Sequence, residues 1–414
     1  MNRIILIGNG FDKAHRLKTG YDDFIGWYWD KRVKELETNL NYISFDILCT
    51  LELLLQSEKS WSDYSSKHKL RSNSGKKVYK QLSEDKMNFR VTESPFFSSI
   101  MQSFYIKGWV DIENEYYRLL FSNDDDCPSP YLNKPNMLNR ELDYIRLLLL
   151  EYLTGIQKLN INKSIVRQSV KDKVYAPVKK IEIAVGSREL WNDMLVQRLS
   201  YSYETWKELI SICNREDIEC KKVESFVHDT LNEKKVITDM DVEDIPEVFF
   251  LPDKILFLSF NYTTTADLYL PGNERISINH IHGRLDEPNS MIFGYGDEID
   301  KNYKTILEKN DNDYLENIKS IKYLESPNYR QLLEFIESSP YQIFIMGHSC
   351  GNSDRTLLNT LFEHKNCVSI KPFYYIRENN TDNYLELVQN ISRNFTDMKL
   401  MRDRVVNKKY CDSF

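Results

Sequence analysis

The sequence predicts an α/β protein in which a mostly parallel sheet is interrupted by a large α-helical insertion. A short β-branched run, Arg3 to Ile7, ends abruptly in a glycine turn, which is typical of a buried strand. After Pro252, strand-like runs alternate with helical ones, as expected for strands joined by helical crossovers. We therefore predict one Rossmann-like domain from residues 1–24 plus 250–414, and a helical insertion domain from residues 25–249.

The composition is that of a folded protein without general affinity for polyanions. With 41% hydrophobic and 13% aromatic residues among 414, the chain can bury a large core. The formal net charge is −7 and the pI about 5.7, so no positive field attracts nucleic acid. The basic stretch from Lys67 to Lys80 is a local exception, which we interpret as a solvated loop. Direct nucleic-acid binding is not expected.

No segment predicts a membrane span, a secretory signal or a disulfide framework. The longest strongly apolar run, residues 145–153, contains Arg146 and Glu151 and is far shorter than the ~20 residues that cross a bilayer. Only Ile4 to Ile7 are consecutively apolar near the N-terminus, too few for a signal peptide. The seven cysteines are never spaced C-x-x-C. We expect a cytoplasmic protein with reduced cysteines.

The first element is a strand over Arg3 to Ile7, followed by Gly8-Asn9-Gly10 and a helix that starts near Phe11 and Asp12. Such a turn lies at the carboxyl end of a parallel strand, where a helix N-terminus presents free N–H groups to a phosphate. Lys13 stands where the third glycine of G-x-G-x-x-G would be. A tight turn without a ligand therefore remains the alternative.

The middle of the chain is predicted to be mainly helical. Residues Leu138, Leu142, Ile145, Leu149 and Leu153 form an apolar stripe at helical spacing. The segment 174–185 is either a hairpin or an extended connector. The predicted amphipathic stretches are Asp22 to Leu40, Ile43 to Gln56, Trp109 to Leu120, Met137 to Leu159, Glu189 to Cys213 and Lys222 to Asn232.

The last third returns to alternating strands and helices. Predicted strands are Lys254 to Phe260, Arg275 to Ile281, Met291 to Phe293, Gln342 to Met346 and Val368 to Ile376, with a last edge at Asp397 to Met401. Predicted helices are Tyr329 to Ser338, Asp354 to His364 and Asn383 to Asn394. Together with the first strand, these elements build the sheet.

Polar clusters follow four of the predicted strands. They are Gly8 to Asp12, Ser259 to Thr263, His280 to Gly283 and Gly347 to Ser349. Because the carboxyl ends of parallel strands open onto one edge, we expect these clusters to converge on one cleft. Asn261 is an amide that can orient a ligand, with helix capping as its alternative. His282, before Gly283, is a candidate base, with a buried structural histidine as its alternative.

Two other chemistries fit parts of this pattern less well. His280-x-His282 has the spacing of metal ligands, but no further ligand motif completes a site, although Asp286 and Asp297 are nearby in sequence. Gly347 to Gly351 fits the G-x-S-x-G nucleophile elbow of a serine hydrolase. The only later histidine, His364, lies at the far end of the next helix, which argues against a Ser349 nucleophile. We expect no bound metal.

Six motifs occur along the chain in a recognisable order. They are ILIGNGFDKAHRLKTGYDDF at residues 5–24, WVDIENEYY at 109–117, FLSFNYT at 257–263, HIHG at 280–283, FGYGD at 293–297 and IFIMGHSCGNSD at 343–354. This order resembles that of the AbiH family, and the resemblance spans nearly the whole chain. The family is associated with bacterial abortive infection and looks like a distant branch of the sirtuin-type NAD-binding fold.

The resemblance assigns roles to the matching positions. It implies that Gly8 and Gly10 bind the NAD pyrophosphate, that Asn261 and His282 act at the nicotinamide ribose, and that Gly347 with Ser349 contacts the adenosine side. Further nucleotide contacts are expected from Asn9, Phe11, Asp12, Tyr21, Asp22, Tyr262, His348 and Asp354. Asp12, Tyr21 and Asp22 are expected to close over the ribose or nicotinamide.

Departures from the sirtuin pattern argue against protein deacylation. Thr263 stands where sirtuins usually carry Asp, Phe260 stands where they often carry Gln, and the paired cysteines of their zinc module are absent from the sequence. The resemblance instead implies a sirtuin-like NAD glycohydrolase of anti-phage defence, held inactive by its insertion or by a partner until infection. A non-catalytic NAD or ADP-ribose sensor is the alternative. Self-association, a partner ATPase and a phage-derived trigger are expected from the resemblance alone.

Overall fold

The computed structural model describes residues 1–38, 42–54, 75–107, 111–121, 130–131, 134–212 and 218–414. Several predicted features lie wholly or partly outside these described residues. They are residues 67–74 of the basic stretch, Trp109 and Val110, Cys127, Cys213, and the ends of the helices predicted to reach Leu40 and Gln56.

Within the described residues the chain forms eight strands and sixteen α-helices. The strands are β1 (Asn2–Ile7), β2 (Ile43–Phe45), β3 (Cys49–Leu53), β4 (Phe89–Glu93), β5 (Ile255–Ser259), β6 (Ile276–His280), β7 (Tyr341–Met346) and β8 (Cys367–Phe373). The helices are α1 (Asn9–Ala14), α2 (Tyr21–Thr38), α3 (Gly75–Glu84), α4 (Pro95–Lys107), α5 (Ile112–Phe121), α6 (Pro135–Asn160), α7 (Gln168–Val174), α8 (Arg188–Arg198), α9 (Tyr203–Ile212), α10 (Cys220–Asn232), α11 (Lys301–Glu308), α12 (Lys319–Lys322), α13 (Asn328–Ser338), α14 (Arg355–Glu363), α15 (Tyr384–Arg393) and α16 (Met398–Arg404).

The chain divides into two compact units. The first comprises residues 1–16, 161–291 and 323–414, and the second comprises residues 17–160 and 292–322. This division groups residues 161–249 with the first unit, whereas the sequence prediction places them in the helical insertion. The predicted domain boundaries at residues 24 and 250 stay a prediction, because compactness alone does not define a folding domain.

The first unit contains a five-stranded sheet in the order β6-β5-β1-β7-β8, with every neighbouring pair parallel. The α/β architecture and the parallel sheet predicted from the sequence are therefore confirmed. Ile4 of β1 pairs with Leu256 of β5 on one side and with Ile343 of β7 on the other. After β6 the chain returns to the other side of β1, so the order reverses between β1 and β7. Such a reversal is where open α/β sheets bind ligands.

Burial explains why these strands are nearly continuous apolar runs. All six residues of β1 and all six of β7 are buried, as expected for parallel strands that are covered on both faces. Asn2 and Arg3 are the polar residues of β1, and Arg3 is fully buried. Its guanidinium donates to Gln342 Oε1 at 3.0 Å and to the carbonyl oxygens of Val174 and Ala176 at 2.8 and 2.6 Å. The 174–185 segment contains no strand, so it is not a hairpin, and the 3-10 turn Lys180–Glu182 interrupts its extended part.

The second unit combines helices α2 to α6, α11 and α12 with a small sheet in the order β2-β3-β4. Both strand pairs are antiparallel. The helix predicted over Ile43 to Gln56 is therefore wrong. Asp46 Oδ1 accepts the backbone N–H groups of Leu48 and Cys49, which closes a hairpin turn and starts the alternating burial of β3.

Three further predictions differ from the structure in the later part of the chain. Residues 291–293 form no strand. The predicted edge at Asp397 to Met401 is wrong, because Asp397 caps helix α16 by accepting the N–H groups of Lys399 and Leu400. The stretch predicted from Glu189 to Cys213 is interrupted between α8 and α9. None of the described helices is both long and apolar enough to cross a membrane.

Candidate functional site

Four neighbouring strands of the first unit deliver the four polar clusters to one edge of the sheet. Strands β6, β5, β1 and β7 are adjacent and parallel, so the turns that follow them share the carboxyl edge. The Asn261 side chain donates from Nδ2 to the carbonyl oxygen of Gly8 at 3.0 Å. Phe260 packs between two histidines, with ring centroids 5.1 Å from His282 and 4.1 Å from His348. Residues of all four clusters thus meet in a single group.

The glycine turn after β1 packs backbone to backbone against the turn after β7. Gly10 N donates to the carbonyl oxygen of Gly347 at 2.8 Å. A Cβ placed on Gly8 would lie 2.6 Å from His348 Cα, and one on Gly347 would lie 2.1 Å from Phe11 N. Gly347 also has a φ of 80°, which favours glycine. These glycines are required by the contact between the two turns.

The first turn of helix α1 already uses part of its hydrogen-bonding capacity. The N–H groups of Gly10 and Phe11 bond to the carbonyl oxygens of Gly347 and Gly8. The predicted contact Phe11 faces the core, where its ring packs against His15 and Tyr269, whereas Asn9 is exposed. Between the two predicted contacts Asn9 and Phe11, it is Asn9 whose side chain is exposed to solvent.

The Asn261 turn is held by side-chain and backbone bonds. Asn261 is half-buried and donates from its backbone to Ser259 Oγ at 3.3 Å. The next helical turn is the 3-10 segment Ala266–Tyr269, whose capping position is Thr265. Asn261 is therefore not a helix cap, and its amide binds the Gly8 turn instead. The carbonyl oxygen of Tyr262, another predicted contact, accepts the N–H of Leu285.

Thr263 bonds to a buried carboxylate from the neighbouring turn. Its Oγ1 donates to Asp12 Oδ2 at 2.6 Å. Asp12 is 1% exposed, and its Oδ1 has no hydrogen-bond partner within the described ranges. Burial raises the pKa of Asp12 to about 6, which hydrogen bonding by Thr263 only partly offsets. The Thr263 hydroxyl is thus bonded to a buried carboxylate of the neighbouring turn.

We expect Asp12→Asn to stabilise the protein at pH 8 and to lose that advantage at pH 4. The pKa of Asp12 is about 6 in the folded chain against 3.8 for the ordinary carboxyl, so the native state is penalised above pH 6 and the penalty disappears as pH falls below 4. The gain at pH 8 is on the order of 2–3 kcal/mol. Urea unfolding of wild type and variant at both pH values measures it. Equal gains at both pH values, or the same pattern for Asp193→Asn at an exposed site, would contradict this account.

His282 is held by a carboxylate and a phenol. Its Nε2 lies 3.2 Å from Asp354 Oδ1 and 3.2 Å from the Tyr323 hydroxyl. The side chain of His348 approaches the same carboxylate, with Nε2 3.6 Å from Asp354 Oδ2. Asp354 and both histidines are buried. Sequence reasoning named all three but missed Tyr323, because it follows no strand and belongs to no recognisable motif.

His280 belongs to a different set of contacts. Its Nε2 lies 3.0 Å from Asp267 Oδ2, so His280 and His282 face different carboxylates. Gly283 has a φ of 85°, and a Cβ there would lie 2.1 Å from the carbonyl oxygen of Ser290. The close backbone approach that this glycine allows is therefore to its own chain. Among the described residues, no group of three or more His, Cys, Asp or Glu side chains is arranged to hold a metal.

Ser349 is exposed, and its carbonyl oxygen accepts Asn390 Nδ2 at 2.9 Å. His364 stacks on Tyr341, the first residue of β7, and pairs with Glu337. Ser349 lies three residues after Met346, the last residue of β7. The two side chains therefore lie towards opposite ends of β7, which agrees with the sequence argument against a serine nucleophile.

The remaining predicted contacts and two motifs lie in the second unit. Tyr21 and Asp22 begin helix α2, where Tyr21 is half-buried and Asp22 is exposed. The described part of the WVDIENEYY motif contacts the FGYGD motif: Glu113 accepts Gly294 N at 3.2 Å, and Tyr117 stacks on Tyr295 at 3.8 Å. Within this unit the two motifs therefore have a shared packing role.

A family model described as "Bacteriophage abortive infection AbiH" matches residues 4–376. Neither the curated proteins nor the solved structures give a match. The family match includes all four turns at the sheet edge.

Proposed function

This chain belongs to the AbiH family of bacteriophage abortive infection, and on that premise we propose that it is an NAD glycohydrolase. In this proposal it cleaves cytosolic NAD to nicotinamide and ADP-ribose during phage infection. The observation that carries the proposal is the meeting of Asn261, His282 and two glycine turns at one sheet edge. When the five strands of this sheet are numbered in chain order, the order β6-β5-β1-β7-β8 becomes 3-2-1-4-5. This is the order of the first five strands of the Rossmann fold. This order supports a Rossmann-like, sirtuin-like assignment.

The reaction needs a positioned water molecule and no covalent intermediate with the protein. The bond between ribose C1′ and the nicotinamide nitrogen breaks, and its electron pair leaves with nicotinamide. The water oxygen bonds to C1′, which carries oxocarbenium character, and the water proton passes to a base. In this proposal neutral His282 accepts that proton, and the Asn261 amide orients the water and the ribose hydroxyls.

The other predicted contacts hold the nucleotide in this proposal. Gly8 and Gly10 border the pyrophosphate, and Gly347 with Ser349 borders the adenosine side. Asn9 and Tyr262 complete the proposed contacts, whereas Phe11 faces the core and Asp354 contacts His282 and His348. In this proposal Asp12 supplies the carboxylate that Thr263 lacks, because the Asp12 carboxylate is bonded to the Thr263 hydroxyl.

Burial of the site supports a closed resting state. His282 is 4% exposed and Asp354 8% exposed, so in this proposal the side chains that cover them move before NAD reaches His282. A trigger of phage origin, a partner ATPase or self-association would supply that opening. The proposal therefore expects low basal turnover.

The test is NAD loss and nicotinamide release by purified protein, alone and with extract of phage-infected cells. We expect Asn261→Ala and His282→Gln each to lower turnover by at least about 100-fold, because a positioned base or orienting group contributes that much. His364→Gln, at the other end of the sheet, is the matched control and should retain turnover. An acetyl-lysine peptide should not be deacylated. No turnover under either condition, or full turnover in His282→Gln, would refute the proposal.

A non-catalytic NAD or ADP-ribose sensor is the second candidate. It is favoured by the burial of His282, which keeps the proposed base away from a bound nucleotide. Calorimetric titration with NAD and with ADP-ribose separates the two candidates. A sensor binds NAD and returns it intact, whereas the hydrolase releases nicotinamide.

A further inference from the structure

One buried carboxylate, that of Asp354, lies between the imidazoles of two different turns. Its Oδ1 is 3.2 Å from His282 Nε2, and its Oδ2 is 3.6 Å from His348 Nε2. All three side chains are at most 10% exposed. Each carboxylate oxygen therefore faces one ring nitrogen away from bulk water, where charge interactions are strong.

The backbone fixes which nitrogen of His348 carries the proton. Cys350 N donates to His348 Nδ1 at 3.0 Å, so Nδ1 holds a lone pair and the ring proton of the neutral form is on Nε2. Cys350 makes this bond at a φ of 55°, a left-handed conformation that is unfavourable for a residue with a side chain. The strained turn thus directs the Nε2–H of His348 towards Asp354.

The same reasoning applies to His282. A lone pair on Nε2, 3.2 Å from a carboxylate oxygen, would be repelled, whereas Nε2–H donates to that oxygen. The Tyr323 hydroxyl, also 3.2 Å from Nε2, can accept a share of the same hydrogen. Asp354 therefore favours the form of His282 with the proton on Nε2 and the lone pair on Nδ1.

The missing helix-cap bond of Asp354 also supports its contact with the histidines. Asp354 occupies the N-cap position of α14, where Asp commonly accepts a first-turn N–H, yet its side chain makes no capping bond. Asp397, at the same position of α16, accepts the N–H groups of Lys399 and Leu400. The Asp354 carboxylate is thus directed to the histidines in place of its own helix.

We propose that Asp354 is the positioning residue for His282. It holds the imidazole with Nε2 protonated, which makes Nδ1 the nitrogen that accepts a proton, and its charge stabilises the imidazolium that forms. His348 holds the other carboxylate oxygen and keeps Asp354 in place. This inference rests on the proposed function for its kinetic consequence, but its structural part is independent of any turnover.

The structural part is tested by NMR of protein labelled with ¹⁵N in its seven histidines, with the His282 signals assigned by their loss in His282→Gln. We expect a neutral His282 with its proton on Nε2 in the wild type, and a shift towards the Nδ1-protonated form in Asp354→Asn. A wild-type His282 protonated on Nδ1 would overturn the inference, whether or not the protein hydrolyses NAD.

The kinetic part compares Asp354→Asn with Asp397→Asn. We expect Asp354→Asn to lower kcat for NAD loss by about 100-fold with KM changed by less than about threefold. Asp397→Asn weakens a true helix cap, so it should lower Tm but keep kcat. An unchanged kcat with a raised KM in Asp354→Asn would assign the residue to nucleotide binding and overturn the inference. Absence of turnover in the wild type would refute the proposed hydrolase function but not the positioning role of Asp354. The NMR result would then decide whether Asp354 positions His282.

Discussion

Gly347→Ala is expected to destabilise the first unit by more than about 4 kcal/mol. A Cβ at this position would lie 2.1 Å from Phe11 N and 2.5 Å from Gly10 C, and both are backbone atoms that cannot move aside alone. The φ of 80° adds about 1–2 kcal/mol of left-handed strain. Overpacking combined with strain is among the few causes of losses this large. Urea unfolding measures the effect.

Gly272→Ala is the matched control for that prediction. Gly272 has a φ of 77°, but nothing lies within 4 Å of a Cβ placed there. Its substitution therefore reports the backbone strain alone, about 1–2 kcal/mol. If Gly347→Ala costs no more than Gly272→Ala, the two turns do not pack backbone to backbone.

Lys371→Met is expected to cost about 3–5 kcal/mol, because it leaves a buried carboxylate without its cation. Lys371 Nζ lies 2.8 Å from Glu182 Oε1, with side-chain exposures of 5% and 2%. Its second partner, Asp412, is 58% exposed and can turn to water. Glu182 keeps a bond from Gln342 Nε2 at 2.9 Å, which is too little to replace an ammonium group.

A double-mutant cycle isolates this ion pair. Glu182→Gln removes the stranded charge, so the double variant should recover stability relative to Lys371→Met, with a coupling energy of about 2 kcal/mol. The exposed pair of Lys222 and Glu219, 3.0 Å apart, should couple by less than about 1 kcal/mol. Equal coupling for the two pairs in unfolding experiments would contradict the burial argument.

The sheet was predictable because its signal is local. Buried parallel strands must be apolar throughout, so the runs that became β1, β5 and β7 are visible in the sequence to within about a residue. Each ends in a polar or glycine turn, and parallel pairing sends all such turns to one edge. The shared location of Asn261 and the Gly8 turn therefore follows from the pattern of the chain.

Contacts that depend on packing could not be predicted in this way. The residues of β2 and β3 carry an apolar spacing that also suits a helix, and the hairpin was decided by the Asp46 turn. Nothing in the sequence indicates that Asp354 gives up its capping bond for two histidines. The nucleotide contacts of the glycines at residues 8, 10 and 347 stay a prediction, and the nearest atoms to a Cβ placed on each are backbone atoms of the facing turn.

The measurement that tests the central claim most directly is the NAD content of bacteria during infection by a phage that the wild-type chain restricts. Cells carrying wild type, His282→Gln and His364→Gln are compared with uninfected cells. The account predicts that NAD collapses and ADP-ribose rises only after infection, and only with wild type and His364→Gln. Restriction of the phage with NAD unchanged, or equal NAD loss in His282→Gln, would contradict it.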